Sequence, residues 1–503
     1  MTGKSYIVET KYGTLRGEDA GGVSVWRGIP YASPPVGDLR FRKPEPPASW
    51  EGVRDALAFG PICPQSGSFR RRGRASVTEM SEDCLTLNIW SPAADGAKRP
   101  VLFYIHGGSF SDGAGSDKEY DGTGITRDGD IVLVTINYRL GALGFMDFSF
   151  LDDSFVPNCG FWDILAALRW VNENIEAFGG DPDNVTVCGQ SAGGISVCIL
   201  ATMDEACGYL KRGIMMSGLP TLLHTREQAQ KVARGFLEFM GISDADGLRA
   251  ACDLDLAARQ KEFALNHALG AATFAPCADG DLVVRYPIPA AKEGETCGVP
   301  MLIGTTREEM SIVFKKTLSR LVDISVLRKK GVQAELEEAK KRISAAYERY
   351  GRRGPAIMVS DYVFRMPSVW FAEAHSKSTC TWMYRFDYET FGMRMSGLHA
   401  FHSSDIPFLF GNFKVGLARY MLAFSPVKTG IRKVHKELRG DFLTFIKTGE
   451  LPWEKCDGEN TPAKCYALPS FFEQAVHPEV KDAYNGSEFK RRSLAGESNN
   501  LAD

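Results

Sequence analysis

Thr186, Val187 and Cys188 run into Gly189, Gln190, Ser191, Ala192, Gly193 and Gly194, and a helical pattern follows at once. A β-branched strand that passes through Gly-x-Ser-x-Gly into a helix turns so tightly at the serine that a Cβ on either flanking glycine would clash. The turn lifts the Ser191 hydroxyl clear of the sheet. The helix that follows presents its first N–H groups, and the positive end of its dipole, to negative charge developing beside that hydroxyl. In a chain with 51 glycines the pattern also arises by chance, so the remaining sequence has to decide.

Apolar strands recur with helical patterns between them. Val101–Ile105 ends in His106, Gly107 and Gly108, Ile131–Ile136 follows, and a helix with Ile164, Leu168, Val171 and Ile175 on one face stops at Gly179 and Gly180. Further strands are expected at Val185–Val187, Gly213–Met216, Pro300–Ile303 and Thr381–Phe386. Near-continuous apolar strands suit a sheet covered on both faces, so the expected fold class is α/β, with a large, mostly parallel central sheet flanked by helices. Residues 1–490 read as a single domain, with helical, charged insertions near 222–295 and 311–375 walling a pocket. The last stretch, 491–503, reads as a polar tail.

Composition narrows the partners. Lys and Arg number 59 against 62 Asp and Glu, a net charge of −3, which makes no electrostatic case for nucleic acid or an anionic membrane surface. A small-molecule substrate is the expectation, for a monomer or small homo-oligomer. The stretch Met1–Val8 lacks the apolar run of a signal peptide and no run of 18 apolar residues occurs, so the chain reads as cytoplasmic. None of the twelve cysteines forms Cys-x-x-Cys or pairs with histidine at zinc spacing, so no metal is expected. Cys188 and Cys198 read as small buried hydrophobes. Gly113-Ala114-Gly115 and Gly122-Thr123-Gly124 lack the third glycine of a dinucleotide fingerprint, and no cofactor is expected.

A serine nucleophile needs a base, an acid to orient it and donors for an oxyanion. In α/β-hydrolase order the acid and then the histidine follow the serine. Glu308 and Glu309 leave the strand at Met301–Ile303, and a loop with His399 and His402 follows the strand at Thr381–Phe386. The residues alone separate neither Glu308 from Glu309 nor His399 from His402. His224, His267, His375, His435 and His477 sit among polar residues and read as solvated. Oxyanion donors are expected from the Ala192 N–H and from the loop Gly107, Gly108, Ser109, Phe110, whose glycines let backbone approach a substrate oxygen.

Longer motifs accompany the serine: Gly28–Ala32 with Pro34–Gly37, Glu82–Asn88, Asn137–Phe145 and Phe178–Pro182. With these the chain resembles the type-B carboxylesterases, the family of cholinesterases, animal liver carboxylesterases and bacterial para-nitrobenzyl esterases, from about residue 8 to about residue 470. The resemblance implies a serine carboxylester hydrolase working through an acyl-enzyme, with Ser191 as nucleophile, His402 as base and Glu309 as orienting acid. It assigns the oxyanion to the N–H groups of Gly108, Ser109 and Ala192, with Gly107 and Ser217 supporting the reacting groups; Ser217 reads equally as an end-of-strand serine bonding its own backbone. An amide or carbamate hydrolase would use the same residues. A non-catalytic relative such as a neuroligin is the other class, disfavoured because serine and histidine are both present.

The chain departs from the family's pattern at Ser109, where glycine or alanine is usual, at Met310, where glycine is usual, and at Phe161-Trp162-Asp163. Cys63 and Cys84 correspond to the family's first disulfide, and the resemblance leaves open whether they bond or stay thiols in a reducing cytoplasm. In cholinesterases the loop between them carries a tryptophan for the choline cation. Here it carries Arg70, Arg71, Arg72 and Arg74 and no tryptophan, which disfavours choline esters.

Overall fold

The computed structural model describes residues 6–66, 79–266, 270–312, 335–416, 418–419 and 428–486. Outside them lie the arginines at 70, 71, 72 and 74, His267, the stretch 313–334 of the second insertion and the polar tail 491–503.

Eleven strands form one sheet: β1 (Glu18–Ala20), β2 (Val23–Pro30), β3 (Thr86–Ser91), β4 (Arg99–Ile105), β5 (Val132–Ile136), β6 (Gly180–Gln190), β7 (Arg212–Met216), β8 (Met301–Thr306), β9 (Thr381–Phe386), β10 (Pro462–Tyr466) and β11 (Phe471–Gln474). Their order is β11-β10-β9-β8-β7-β6-β4-β5-β3-β2-β1. The pairs from β10 across to β5 are parallel, and the pairs at both edges are antiparallel. Along β4 the alternation of side chains divides the interior. Val101, Phe103 and Ile105 enter one apolar layer, Leu102 and Tyr104 the other, so a strand buried on both faces has no polar alternation.

Helix α1 (Cys159–Asn174) lies in the first layer, where Ile164, Leu168 and Val171 are buried. It tightens into a 3₁₀ turn at Ile175–Phe178 and ends at Gly179, whose φ of 81° suits a residue without Cβ. Helix α2 (Ala192–Leu200) follows β6, and α3 (Arg226–Met240) and α4 (Asp253–Asn266) belong to the first insertion. In the second insertion α5 (Glu335–Ala346), α6 (Gly354–Ser360) and α7 (Met366–His375) precede β9. Helix α8 (Lys428–Thr448) covers the opposite layer with Phe442, Phe445 and Ile446. Among the described residues no helix is long and apolar enough to cross a membrane.

One expectation is corrected, and the question left open at Cys63 and Cys84 is answered. His224 and His375 are not solvated but buried: the His224 Nε2 lies 2.8 Å from the Ala272 carbonyl, and the His375 Nδ1 lies 2.9 Å from the Thr381 hydroxyl. Burial pushes the His375 imidazole down to about 4. Cys63 and Cys84 are unbonded, buried thiols, and the Cys63 sulfur accepts the Leu140 N–H at 3.3 Å. The disulfide joins Cys207 to Cys297 across a sequence separation of 90. Cys207 precedes β7 and Cys297 precedes β8, and adjacent parallel strands bring the segments that enter them to the same end of the sheet.

Protein purified without reductant is therefore expected to show ten reactive thiols in denaturant and all twelve after reduction. Twelve before reduction would overturn the bond. Replacing both cysteines by serine should lower the unfolding free energy by roughly 2–4 kcal/mol, measured by denaturant titration.

Candidate active site

Four adjacent strands, β4, β6, β7 and β8, send their carboxyl ends to one place. At the end of β6, Ser191 has φ 58° and ψ −120°, a conformation an L residue adopts at a cost of order 1–3 kcal/mol. The surroundings enforce it. A Cβ at Gly189 would run into the Gly193 carbonyl, and a Cβ at Gly193 into the carbonyl of Ile105 at the end of β4. The Ser191 N–H donates to the Met216 carbonyl of β7 at 2.9 Å.

The loop after β4 packs on this turn, since a Cβ at Gly107 would lie 2.5 Å from the Gln190 carbonyl oxygen. Gly108, Ser109 and Phe110 follow with φ of 127°, 54° and 57°. This run turns the peptide planes so that the Gly108 carbonyl takes the N–H groups of Ser111 and Asp112, while among the described residues no carbonyl takes those of Gly108 or Ser109. Ala192 opens α2, so its N–H has no carbonyl one turn back to donate to. Ser109 keeps the N–H a glycine would supply, in a backbone conformation where glycine would be unstrained.

Beyond β8, Glu309 is fully buried, and both its oxygens are engaged. Oε1 accepts the Thr306 N–H at 2.6 Å and the Ser217 hydroxyl at 2.7 Å; Oε2 lies 2.6 Å from His402 Nδ1. Ser217 therefore bonds Glu309 rather than its own backbone. The His402 N–H donates to the Glu309 carbonyl at 3.2 Å, tying the two loops together. With the Nδ1 proton given to a carboxylate, Nε2 is left as an acceptor. It lies 3.2 Å from Nε2 of Gln190, the residue before Ser191. The Phe364 ring covers the imidazole, with ring centroids 4.9 Å apart, and sits in a π-helical turn at Asp361–Arg365. Such turns recur at functional sites.

The neighbours that sequence left as alternatives go elsewhere. Glu308 pairs with Arg353, and His399 Nδ1 lies 3.3 Å from Glu389. Gln190, Phe364, Thr306 and Arg353 were not singled out from sequence, because their roles rest on contacts between distant segments.

The model of the Carboxylesterase family matches residues 4–464. The chain belongs to the carboxylesterase family. A para-nitrobenzyl esterase of Bacillus subtilis (strain 168) is 39% identical over 459 residues, 88% of this chain and 90% of that protein. A phenmedipham hydrolase of Pseudarthrobacter oxydans is 32% identical over 463 residues, with the same coverage of both. Among solved structures, a carboxylesterase of Geobacillus stearothermophilus superposes with a TM-score of 0.83 at 36% identity, covering 95% of this chain and 100% of that one. The fold is that of the α/β-hydrolases, and the protein is a carboxylic ester hydrolase.

Behind the triad candidates of this carboxylesterase lies a second buried carboxyl. Asp405 accepts the Tyr384 hydroxyl at 2.9 Å on Oδ2, and Oδ1 has no hydrogen-bond partner among the described residues. Burial, and then the charge of Glu309, push it up to about 6. An acid raised above its unfolded value of about 3.9 stabilises the fold only while protonated. That contribution is complete below about pH 4 and is lost as pH rises through about 6. Asp405→Asn keeps an acceptor for Tyr384 and removes the titration. Its unfolding free energy should gain on wild type by on the order of 2–3 kcal/mol between pH 4 and pH 7, read from denaturant melts. A difference that stays flat with pH would refute this.

Proposed function

We propose that this carboxylesterase hydrolyses small carboxylic esters through an acyl-enzyme on Ser191. The observation that carries the reading is His402, with Nδ1 held 2.6 Å from buried Glu309 and Nε2 turned to the residue before the serine. His402 Nε2 takes the Ser191 proton as Oγ adds to the ester carbonyl carbon. The oxyanion that results is bound by the N–H groups of Gly108, Ser109 and Ala192. As the carbon–oxygen bond to the alcohol breaks, His402 returns its proton to the departing oxygen. Water then repeats the sequence: His402 takes its proton, the hydroxyl adds to the acyl carbon, and Ser191 leaves with the proton handed back.

Glu309 stabilises the imidazolium formed in each half, and Ser217 and Gly107 support from behind. Every step draws on this chain's own groups and water, within one catalytic unit spanning residues 1–490. In the cytoplasm proposed for it, Cys207 and Cys297 would stand as a dithiol, since disulfides persist in oxidising surroundings. The names of two relatives supply the first substrates to try, a para-nitrobenzyl ester and phenmedipham.

Ser191→Ala should fold and lose on the order of 10⁴–10⁶-fold in kcat. More than a tenth of wild-type activity in that variant would sink the assignment. His402→Ala should lose at least about 10³-fold, whereas His399→Ala should stay within about tenfold of wild type. The reverse order would show that the wrong histidine has been taken as base.

A further inference from the structure

Glu308 and His399 stand beside the proposed acid and base without touching them, and they have a structure of their own. Glu308 is 1% exposed, and a buried carboxylate keeps its charge only where hydrogen-bond donors or a counter-ion meet it. The counter-ion here is Arg353, whose Nη2 bonds both Glu308 and Glu389. Glu389 also faces His399 Nδ1 at 3.3 Å and Arg394 Nε at 3.9 Å. The polar atoms of Glu308, Glu389 and His399 lie within 4.8 Å of one another, a spacing that could grip a cation, and the cation already bonded there is the Arg353 guanidinium.

The placement of these groups matters more than their number. Glu308 directly precedes Glu309 on the loop after β8, and His399 lies three residues before His402 on the base-bearing loop. Glu389 follows β9, and Arg353 directly precedes α6 in the second insertion. The two loops also meet through backbone, with the Glu308 N–H on the Ala400 carbonyl at 2.9 Å and the His402 N–H on the Glu309 carbonyl at 3.2 Å. Helix α6 is fastened to the same place by the Met310 N–H, which donates to the Ser360 hydroxyl at 3.0 Å.

We infer that Arg353 is a positioning residue for ester hydrolysis: by bridging Glu308 and Glu389 it straps the loop of Glu309 to the segment after β9, whose Glu389 in turn faces His399 on the loop of His402. Without it the buried Glu308 loses its cation, and whether that carboxyl withdraws from Glu389 or takes up a proton, nothing joins the two segments and the loops spread. The Glu309–His402 contact lengthens, and the imidazolium formed in each half-reaction loses its counter-charge. The loss falls on kcat, because the strap lies behind the triad and touches no substrate. A misplacement of about 1 Å can cost up to about 100-fold in rate. This inference deepens the reading of Ser191, His402 and Glu309 and rests on it.

The test measures kcat and KM per folded enzyme on a para-nitrobenzyl ester, with kcat/KM followed against pH, for Arg353→Met, Glu389→Gln, their double variant and Arg353→Lys. The titratable and charged groups facing the cluster are Arg353, Arg394, Glu308, Glu389 and His399, with the Arg307–Asp387 pair beside it. Loss of the Arg353 charge alone would move the acid limb of the profile to higher pH, whereas a loosened Glu309 contact moves it lower.

Arg353→Met should lose about tenfold in kcat with KM within about twofold, and its acid limb should move lower. Glu389→Gln should lose less in the same direction, the double variant should be no worse than Arg353→Met, and Arg353→Lys should recover most of the rate. Wild-type kcat in Arg353→Met, or an acid limb moving higher, overturns the inference. If Arg353→Met does not fold, an unchanged kcat and profile in Glu389→Gln overturns it instead. His402→Ala is measured alongside: an active variant shows that the triad reading failed, and an inactive one beside a normal Arg353→Met shows that only the strap did.

Discussion

A carboxylate shut away from water must find a donor for each oxygen or give up its charge, and the site is arranged around that demand. Glu309 meets it with the Thr306 N–H, the Ser217 hydroxyl and the His402 ring. Each partner comes from a different place: the end of β8 itself, the end of β7, and the loop beyond β9. Three segments remote in sequence are thereby held to one point, and the histidine is fixed in the orientation that leaves Nε2 toward the serine turn.

The sheet makes that convergence possible. Its central strands are parallel, so the segments leaving β4, β6, β7 and β8 emerge side by side, and a ligand site at their carboxyl ends follows from topology. The same geometry collects the segments entering β7 and β8 at the opposite end, where Cys207 and Cys297 are bonded. Strain is found at the candidate site: Ser191, Ser217, Ser109 and Phe110 all have positive φ. The ladders on either side hold them there.

Buried charge is used twice at the candidate site and in different ways. Around Glu309 the donors are neutral, which leaves the carboxylate's charge available to an imidazolium. Around Glu308 the donor is a guanidinium, which cancels the charge and joins loops instead. Asp405 has neither kind of full partnership, and its carboxyl is pushed up accordingly.

What the sequence by itself determined was everything local or periodic. The glycines around Ser191 and the apolar strands are enforced by steric contact and burial within a few residues, so the turn, the two-faced sheet and the order serine, carboxylate, histidine were legible. Resemblance to a family supplied Glu309 over Glu308 and His402 over His399, which propensity could not choose. Only the tertiary structure decided where those neighbours go, that Ser217 bonds the acid, that His224 and His375 are buried, and that the bridge joins Cys207 to Cys297 rather than Cys63 to Cys84. The physical reason is common to all of them. Each depends on which side chains meet when distant segments pack, and the residue types involved, Glu, His, Ser and Cys, carry no local pattern that names the partner.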